Sequence, residues 1–297
     1  MGKDFSASPP IGIRAYSDFY DHPERKVWGD YWFKENLIKE FARSSYPVDN
    51  KSPKILLHLF GEPLADMPSD TYNILWIHSH PDRISPEILE KYRKIYCISK
   101  TFTHKITGMG FDADFLMMPT GMTPVHCRKK YDIVFVGNTR QNKIRKVIYD
   151  LGESPYQVKI WGWGWKGLIP DAWYGGEYYE NARLNELYAA SKIVLNDHHN
   201  DMKREGFINP RVLDVLASGG FVVSDEVAGM NTLLDNSVPT YRCPEELHQI
   251  VETFISDDRG RELLGTRGRE IVSRYTYAAC CNEIIRHIST ISGTLFL

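Results

Sequence analysis

The sequence predicts an α/β protein built from two doubly wound domains, and three observations carry that prediction. Short apolar runs alternate with helical patterns along almost the whole chain, as in βαβ units with parallel sheets. The apolar runs lack strict polar alternation, as strands covered on both faces do. A segment rich in proline, glycine and basic residues, "MMPTGMTPVHCRKKYD" (117–132), divides the alternation into two series, which marks a linker. With 297 residues, the chain is long enough for two domains of ~150 residues.

Taken in order, the first series opens with a strand at "IGIRAY". A helix follows around "WGDYWFKENLIKEFARSS". Strands come next at "KILLHLF", "NILWIHS", "KIYCIS" and "ADFLMM". The second series starts with the strand "YDIVFVGN", then a helix near "RQNKIRKVIYDLG" and the strand "QVKIWGWG". A helix at "ARLNELYAAS" and the strand "KIVLND" lead to a helix opening at Asn209, then the strand "GGFVVSD". The tail carries a helix at "PEELHQIVETFISD" and a long helical pattern from Arg259 to Ser292. The boundaries drawn from this are a first domain over 1–125, a second over 126–275 and a closing helix over 276–297. In open α/β sheets ligands bind at the carboxyl ends of strands, so each domain is expected to turn its loops toward a central cleft.

Composition narrows the function classes. Apolar residues make up 42% and charged residues 25%, the profile of a soluble globular protein. A net charge of -2 argues against a general nucleic-acid or anionic-membrane binder. No apolar run reaches the ~18–20 residues needed to span a bilayer. The polar start has no signal-peptide pattern, so a cytoplasmic location is expected. "MGKDFS" formally fits a myristoylation pattern, so peripheral membrane contact is compatible with the sequence. The five cysteines are scattered without CxxC spacing, which predicts reduced thiols and no zinc site.

The most informative stretch is "FINPRVLDVLASGGFVVSD" (207–225). Asn209 fits a helix N-cap and Pro210 the first helical position. Arg211 in the first turn is at odds with the positive end of the helix dipole. An external anion resolves the conflict, because a phosphate would meet the guanidinium and the open N–H groups together. Asp214 lies one turn deeper on about the same face, where it could accept from a sugar diol. An ordinary capped helix with an Arg211–Asp214 surface pair fits the spacing equally well. Ala217 to Gly220 end the helix with small residues, allowing close backbone approach.

At these residues the chain resembles a known family. "NPRVLDVLASGGFVVSD" is similar to the C-terminal signature of group 1 glycosyltransferases with the GT-B fold, two Rossmann-like doubly wound domains facing a central cleft. It looks closest to the branch containing spore-maturation CgeB-like proteins. "YDIVFVGN" resembles the first strand of that family's donor domain and "YAASKIVLN" the strand before the signature. "GRELLGTRGREIVSRYTYAACCNEII" is similar to its closing helices. "WGDYWFKENLIKEF" and "YNILWIHSHPD" resemble acceptor-domain segments of bacterial polysaccharide and glycoprotein glycosyltransferases.

The resemblance implies a nucleotide-sugar donor held by the C-terminal domain and a glycan, lipid-linked or protein acceptor held by the N-terminal one. Asn209 and Arg211 would meet the diphosphate and Asp214 the ribose. The family commonly has Gly-Arg after the first donor-domain strand and a lysine five residues beyond the arginine. Here Asn138 replaces that arginine, Lys143 is kept, and Arg140 is placed to supply the charge. Both basic residues fit a solvated helix face as well. Many retaining members carry Glu, seven residues, then Glu. Asp214 takes the second place, Gly206 the first, and Glu205 lies one residue early, so stereochemistry stays open.

Further constellations follow. His78, His80 and Asp82 sit past a strand end, where His80 could act as a base or bind the sugar. A structural role is the alternative. Asp30 starts a helix, as either its cap or a base. In "WGWGW", Gly162 and Trp163 fit a strand end that meets the donor base, or tryptophans packed under a loop. Asp112 and Asp114 form the DxD pattern that binds metal and diphosphate in the other large glycosyltransferase fold. Here they read as structural, since GT-B enzymes generally stabilise the leaving diphosphate with helix N–H groups and basic residues. No cofactor or metal is therefore expected. Two other functions stay in view: a non-catalytic nucleotide-sugar or glycan-binding module, and a nucleotide-sugar epimerase on the same fold.

Overall fold

The computed structural model describes residues 8–21, 26, 28–64, 66–68 and 70–295. The chain divides into two compact units, residues 1–119 with 275–297, and residues 120–274.

The first unit contains β1 (Ile11–Arg14), α1 (Gly29–Arg43), β2 (Ile55–Phe60), β3 (Tyr72–Ile77), α2 (Pro86–Leu89), β4 (Lys94–Cys97), α3 (Lys100–Gly108) and β5 (Ala113–Phe115). The five strands are parallel and follow in chain order, β1-β2-β3-β4-β5. All six residues of β2 are buried, which explains why "KILLHLF" shows no alternation.

The second unit contains β6 (Tyr131–Val136), α4 (Lys146–Leu151), β7 (Val158–Trp161), β8 (Tyr174–Gly176), α5 (Leu184–Ala189), β9 (Ser191–Asn196), α6 (Asn200–Glu205) and α7 (Pro210–Ala217). It continues through β10 (Val222–Asp225), α8 (Met230–Leu233), β11 (Thr240–Tyr241), α9 (Pro244–Ser256) and α10 (Asp258–Val272). Its six parallel strands run β11-β10-β9-β6-β7-β8. The chain fills the sheet outward from β6 on one side, then returns to β9 on the other. The reversal lies between β6 and β9, and a crevice at the carboxyl ends of such strands is where doubly wound sheets bind ligands. The core under this point is apolar and buried: Ile133, Phe135, Ile193, Leu195, Phe221 and Val223 are all at most 2% exposed.

α7 forms because Val212, Leu213, Val215 and Leu216 recur at helical spacing and are all buried, each side chain contributing roughly 1.5–3 kcal/mol by leaving water. Pro210 begins it and the Asn209 side chain accepts from Arg211 N. Gly220 is the close approach that the small-residue run implies. A Cβ there would lie 2.8 Å from Val215 Cγ1 and 3.0 Å from Tyr188 O.

Three features differ from the sequence reading. The helix expected from Arg140 begins only at Lys146. Gln141 and Asn142 adopt φ of 51° and 57°, which closes a tight turn bridging Arg140 to Lys143. The long closing pattern is two helices, α10 and α11 (Tyr277–Leu295), broken after Val272. Residues 120–125 go with the second unit, since Thr120 Oγ1 donates to Asp214 Oδ1 and Val125 N to Ser218 O. α11 lies in the first unit, with Tyr72 Oη 3.1 Å from His287 Nε2 and Cys280 Sγ donating to Met117 O. All five cysteines are free.

Candidate functional site

In the second unit, the turns after β6, β7, β9 and β10 and the start of α7 converge. The turn after β9 supplies Asn196, Asp197 and His198, all at most 3% exposed. Three guanidinium groups gather around them. Arg145 donates through Nε (3.1 Å) and Nη2 to the Asp197 carboxylate, and through Nη1 to Asn138 O at 3.1 Å. Arg140 donates through Nη1 to His198 O at 2.9 Å and lies 3.8 Å from Asp197 Oδ1. Its Nε is buried with no hydrogen-bond partner. Arg211 Nη1 donates to Asn196 Oδ1 at 2.8 Å, and its guanidinium carbon stands 5.0 Å from the Phe135 ring centroid. Arg211 also hydrogen-bonds Tyr188, so its direct partners are an amide, a phenol and an aromatic face, while Asp197 and Asp214 act on it without a direct ion pair.

Three cations sharing one close carboxylate leave positive charge in a poorly solvated place. Burial, then the neighbouring Arg145, lowers the Arg140 guanidinium to about 10. Burial also lowers Arg211 from its ordinary value. Both remain charged at neutral pH. An unpaired guanidinium N–H in such a place is strongly favoured to meet an anionic oxygen. Asp214 is the opposite case. Burial raises its carboxyl to about 6, although Thr120 Oγ1, 2.6 Å away, and Arg211 pull it down.

A histidine fixes the local frame. His198 Nδ1 lies 2.6 Å from Asp225 Oδ1, and Asn209 N donates to His198 Nε2 at 2.8 Å. The Nε2 must therefore be unprotonated and Nδ1 carries the hydrogen. This ties the end of β10 to the start of α7. The Asn209 side-chain oxygen caps Arg211 N at 3.0 Å, while its backbone N–H holds His198.

The "WGWGW" segment has a different use from the one its glycines suggest. Gly162 sits at φ 141°, and a Cβ on it would be 2.2 Å from Gly137 O. Its missing side chain admits the neighbouring turn after β6. Asn138 Oδ1 accepts from Trp163 N at 2.8 Å, and Trp165 Nε1 donates to Gly137 O at 2.7 Å. Trp165 is fully buried whereas Trp163 is 64% exposed. Asn138 and Gly162 join two turns, and Trp163 projects from them.

Of the residues expected to hold a donor, Arg140, Asn209, Arg211 and Asp214 come together. Lys143 does not join them: it is exposed on the tight turn, and the cation entering the cluster is Arg145, two residues on. A continuous helix from Arg140 would have put Arg145 on an outer turn, which is why the pattern missed it. Asp197 and His198 were missed as well, although their place just past "KIVLN" was a signal that the strand-end rule could have used.

In the first unit, Asp30 and His80 line one cavity of about 340 Å3 with Tyr16, Trp28, Glu62 and Arg83. Asp30 is the second residue of α1; its Oδ2 accepts from Ser17 N at 2.9 Å, which bridges to another segment, and its carboxylate also accepts from the first-turn backbone at Asp30 and Tyr31. Burial raises its carboxyl above the ordinary value. His80 adopts the left-handed conformation (φ 51°, ψ 53°) ahead of Pro81, which turns the chain sharply into the cavity rim. His78, on the same wall, is pushed to about 3, by burial above all and then by the charges of His80 and His58, and its Nε2 has no partner. Asp112 and Asp114 both accept from Lys94 Nζ at 2.6 Å, an ion triad at the edge of the sheet. Among the described residues no cluster of His, Cys, Asp or Glu is arranged to hold a metal ion.

Two parallel-sheet α/β units, one with a cationic site at its strand reversal, define the class: the chain has the GT-B glycosyltransferase fold. Residues 140–286, covering most of the second unit, match the family described as "Glycosyl transferase-like". Solved structures agree over the full length. Sucrose-phosphate synthase from Thermosynechococcus elongatus is 13% identical, with a TM-score of 0.68 over 96% of this chain and 99% of that one. An alpha-glucosyltransferase solved with UDP and a 13-mer DNA containing a HMU base is 12% identical, with 0.66 over 96% and 100%. HepE of Anabaena, solved with UDP-glucose, is 11% identical, with 0.62 over 94% and 99%. At such identities the likeness is one of fold. No curated protein matches the sequence.

Proposed function

We propose that this protein transfers a sugar from a nucleotide-sugar donor to a hydroxyl of a glycan, lipid-linked or protein acceptor. The observation that carries the reading is the arginine cluster: three guanidinium groups with one close carboxylate, and an unpaired Arg140 Nε, at the reversal point of the second sheet. A diphosphate supplies the charge and the acceptors this arrangement lacks. As the glycosidic bond of the donor breaks, negative charge grows on the leaving diphosphate, and fixed cations stabilise it most at that stage. Arg140, Arg145 and Arg211 have this role, with no metal required. Asp214 meets the nucleotide ribose, and Trp163, exposed beside the cluster, offers a face to the base. Glycosyl donors of the UDP-hexose type fit this reading, in keeping with the UDP-glucose bound by HepE of Anabaena.

For an inverting reaction the acceptor hydroxyl must lose a proton as the new bond forms. Asp30 is the base in this reading. Its raised carboxyl makes it more basic than an exposed aspartate. His80, on the same cavity, contacts the sugar. The five free cysteines support a reducing, cytoplasmic site of action. No described helix is long and apolar enough to cross a membrane. The motif "NPRVLDVLASGG" supports a position nearest the CgeB-like branch.

The test is mass spectrometry of turnover mixtures containing a panel of nucleotide sugars, each with and without candidate glycans. The expected result is acceptor-dependent gain of one sugar with release of the nucleoside diphosphate. Donor conversion to an isomer without any acceptor would instead assign the chain as an epimerase. Binding with neither transfer nor hydrolysis would assign it as a binding module.

A further inference from the structure

The opposite ends of the same strands enclose a second cavity, of about 520 Å3, within the range that holds small ligands. Its walls include Lys129 just before β6, Ala189 just before β9 and Phe221 just before β10, together with one face of α10. β9 is six residues long, so roughly 17 Å of strand separates this cavity from the Asn196–His198 turn. It shares no residue with the arginine cluster.

The cavity lining carries cations short of partners. Lys129 Nζ donates to Ala189 O at 2.9 Å and Ser191 O at 2.8 Å, and an ammonium has a third N–H to give. Arg261 is only 4% exposed. Its Nη groups donate to Phe254 O and Asp258, while its Nε is buried and unpaired. Arg269, two turns along the same face of α10, is half-buried, and no ion pair or hydrogen bond holds its guanidinium among the described residues. The lining also includes Glu262 and Thr266, one turn apart on the same helix. Lys129, Arg261 and Arg269 against Asp258 and Glu262 leave one positive charge over. A multiply charged bare anion would therefore meet carboxylates as well as cations. A singly or doubly charged group attached to a polyhydroxylated body satisfies both kinds of group, since hydroxyls donate to carboxylates.

We propose that this cavity binds an anionic saccharide. Its phosphate or carboxylate is held by Arg269, Arg261 and Lys129, and its hydroxyls by Glu262 and Thr266. The site does not depend on the donor reading, because the two sites lie at opposite ends of the sheet.

The test is calorimetric titration of the full chain with glucose 6-phosphate and glucuronate, with glucose and inorganic phosphate as controls. One of the two anionic sugars is expected to bind at least about 10-fold more tightly than either control, and which one it is names the anion. Arg269→Ala should weaken that binding about 10-fold or more, the loss of a charge-assisted contact. Thr266→Phe, which fills the cavity from a half-buried position, should abolish it, and Arg211→Ala should leave it unchanged. Circular dichroism checks that each variant is folded. The proposal is overturned if neither anionic sugar binds better than the controls. It is equally overturned if binding survives both Arg269→Ala and Thr266→Phe, or disappears in Arg211→Ala, which would move it to the donor cluster.

Discussion

Single side chains in this protein show where charge is held against its own preference. Asp214 is the clearest. Its carboxyl is raised to about 6 by burial, above the ~3.9 of an unfolded aspartate. A raised folded value means that the native state binds the proton more tightly. The contribution is therefore favourable below about pH 4 and is lost as pH rises through about 6. Asp214→Asn should accordingly gain stability relative to wild type on going from pH 4 to pH 7, by an amount on the order of 1–3 kcal/mol. Thermal melts of both proteins at the two pH values measure it; a difference that shrinks as pH rises contradicts the burial argument. Asp30 leads to a kinetic prediction. Asp30→Asn should lower kcat by ~10²-fold or more, in line with general-base contributions of ~10²–10⁴, and leave donor affinity intact. In wild type, kcat should fall on acidification through the raised Asp30 value, as the base takes up its proton. Near-normal kcat in a folded Asp30→Asn enzyme removes Asp30 from the mechanism and moves the role to His80.

At the scale of elements, legibility followed periodicity. α7 and its flanking turns could be read from "NPRVLDVLASGG" because each residue there has a local reason: a cap, a proline at the first position, apolar residues at helical spacing, and glycine where Val215 and Tyr188 leave no room. The segment 139–145 could not. "TRQNKIR" is compatible with a helix by propensity, but Gln141 and Asn142 take left-handed conformations, which asparagine tolerates better than most residues. The tertiary demand is that Arg145 reach Asp197, and that pairing is invisible along the chain. The glycines of "WGWGW" do signal a close backbone approach, and the neighbour they admit is the turn after β6. Gly162→Ala tests this. A Cβ 2.2 Å from Gly137 O, on a φ of 141°, must displace the turn after β6. We expect a loss of about 1–3 kcal/mol or more and weaker donor binding, because Asn138 and Arg140 lie along that turn and Arg145 donates to Asn138 O. Wild-type melting and wild-type donor affinity in Gly162→Ala would show that the two turns move independently.

Across the whole molecule, the alternation of strands and helices specified two parallel-sheet units. The lateral order of the strands was not legible, since the βα alternation is the same whichever edge the chain extends. That order decides which strand ends meet, and so it brought Asp197, His198 and Asp225 beside Arg140, Asn209, Arg211 and Asp214, which the sequence had already pointed to. The DxD pair shows the same limit in reverse: a motif with metal-binding spacing is held by Lys94. Transfer should accordingly persist in EDTA. Activity abolished by chelation and restored by manganese contradicts the metal-free reading.

The central claim is that the phosphates of a nucleotide sugar sit among Arg140, Arg145 and Arg211. Calorimetric titration of the donor that turns over, into wild type, Arg140→Ala, Arg211→Ala and Lys143→Ala, tests it most directly. Arg140→Ala and Arg211→Ala should each weaken binding by roughly 10- to 150-fold, the equivalent of ~1.5–3 kcal/mol for a charge-assisted contact. Lys143→Ala, altering an exposed side chain on the turn, should stay within about 2-fold of wild type. Unchanged affinity in folded Arg140→Ala and Arg211→Ala proteins, or a loss confined to Lys143→Ala, would contradict it.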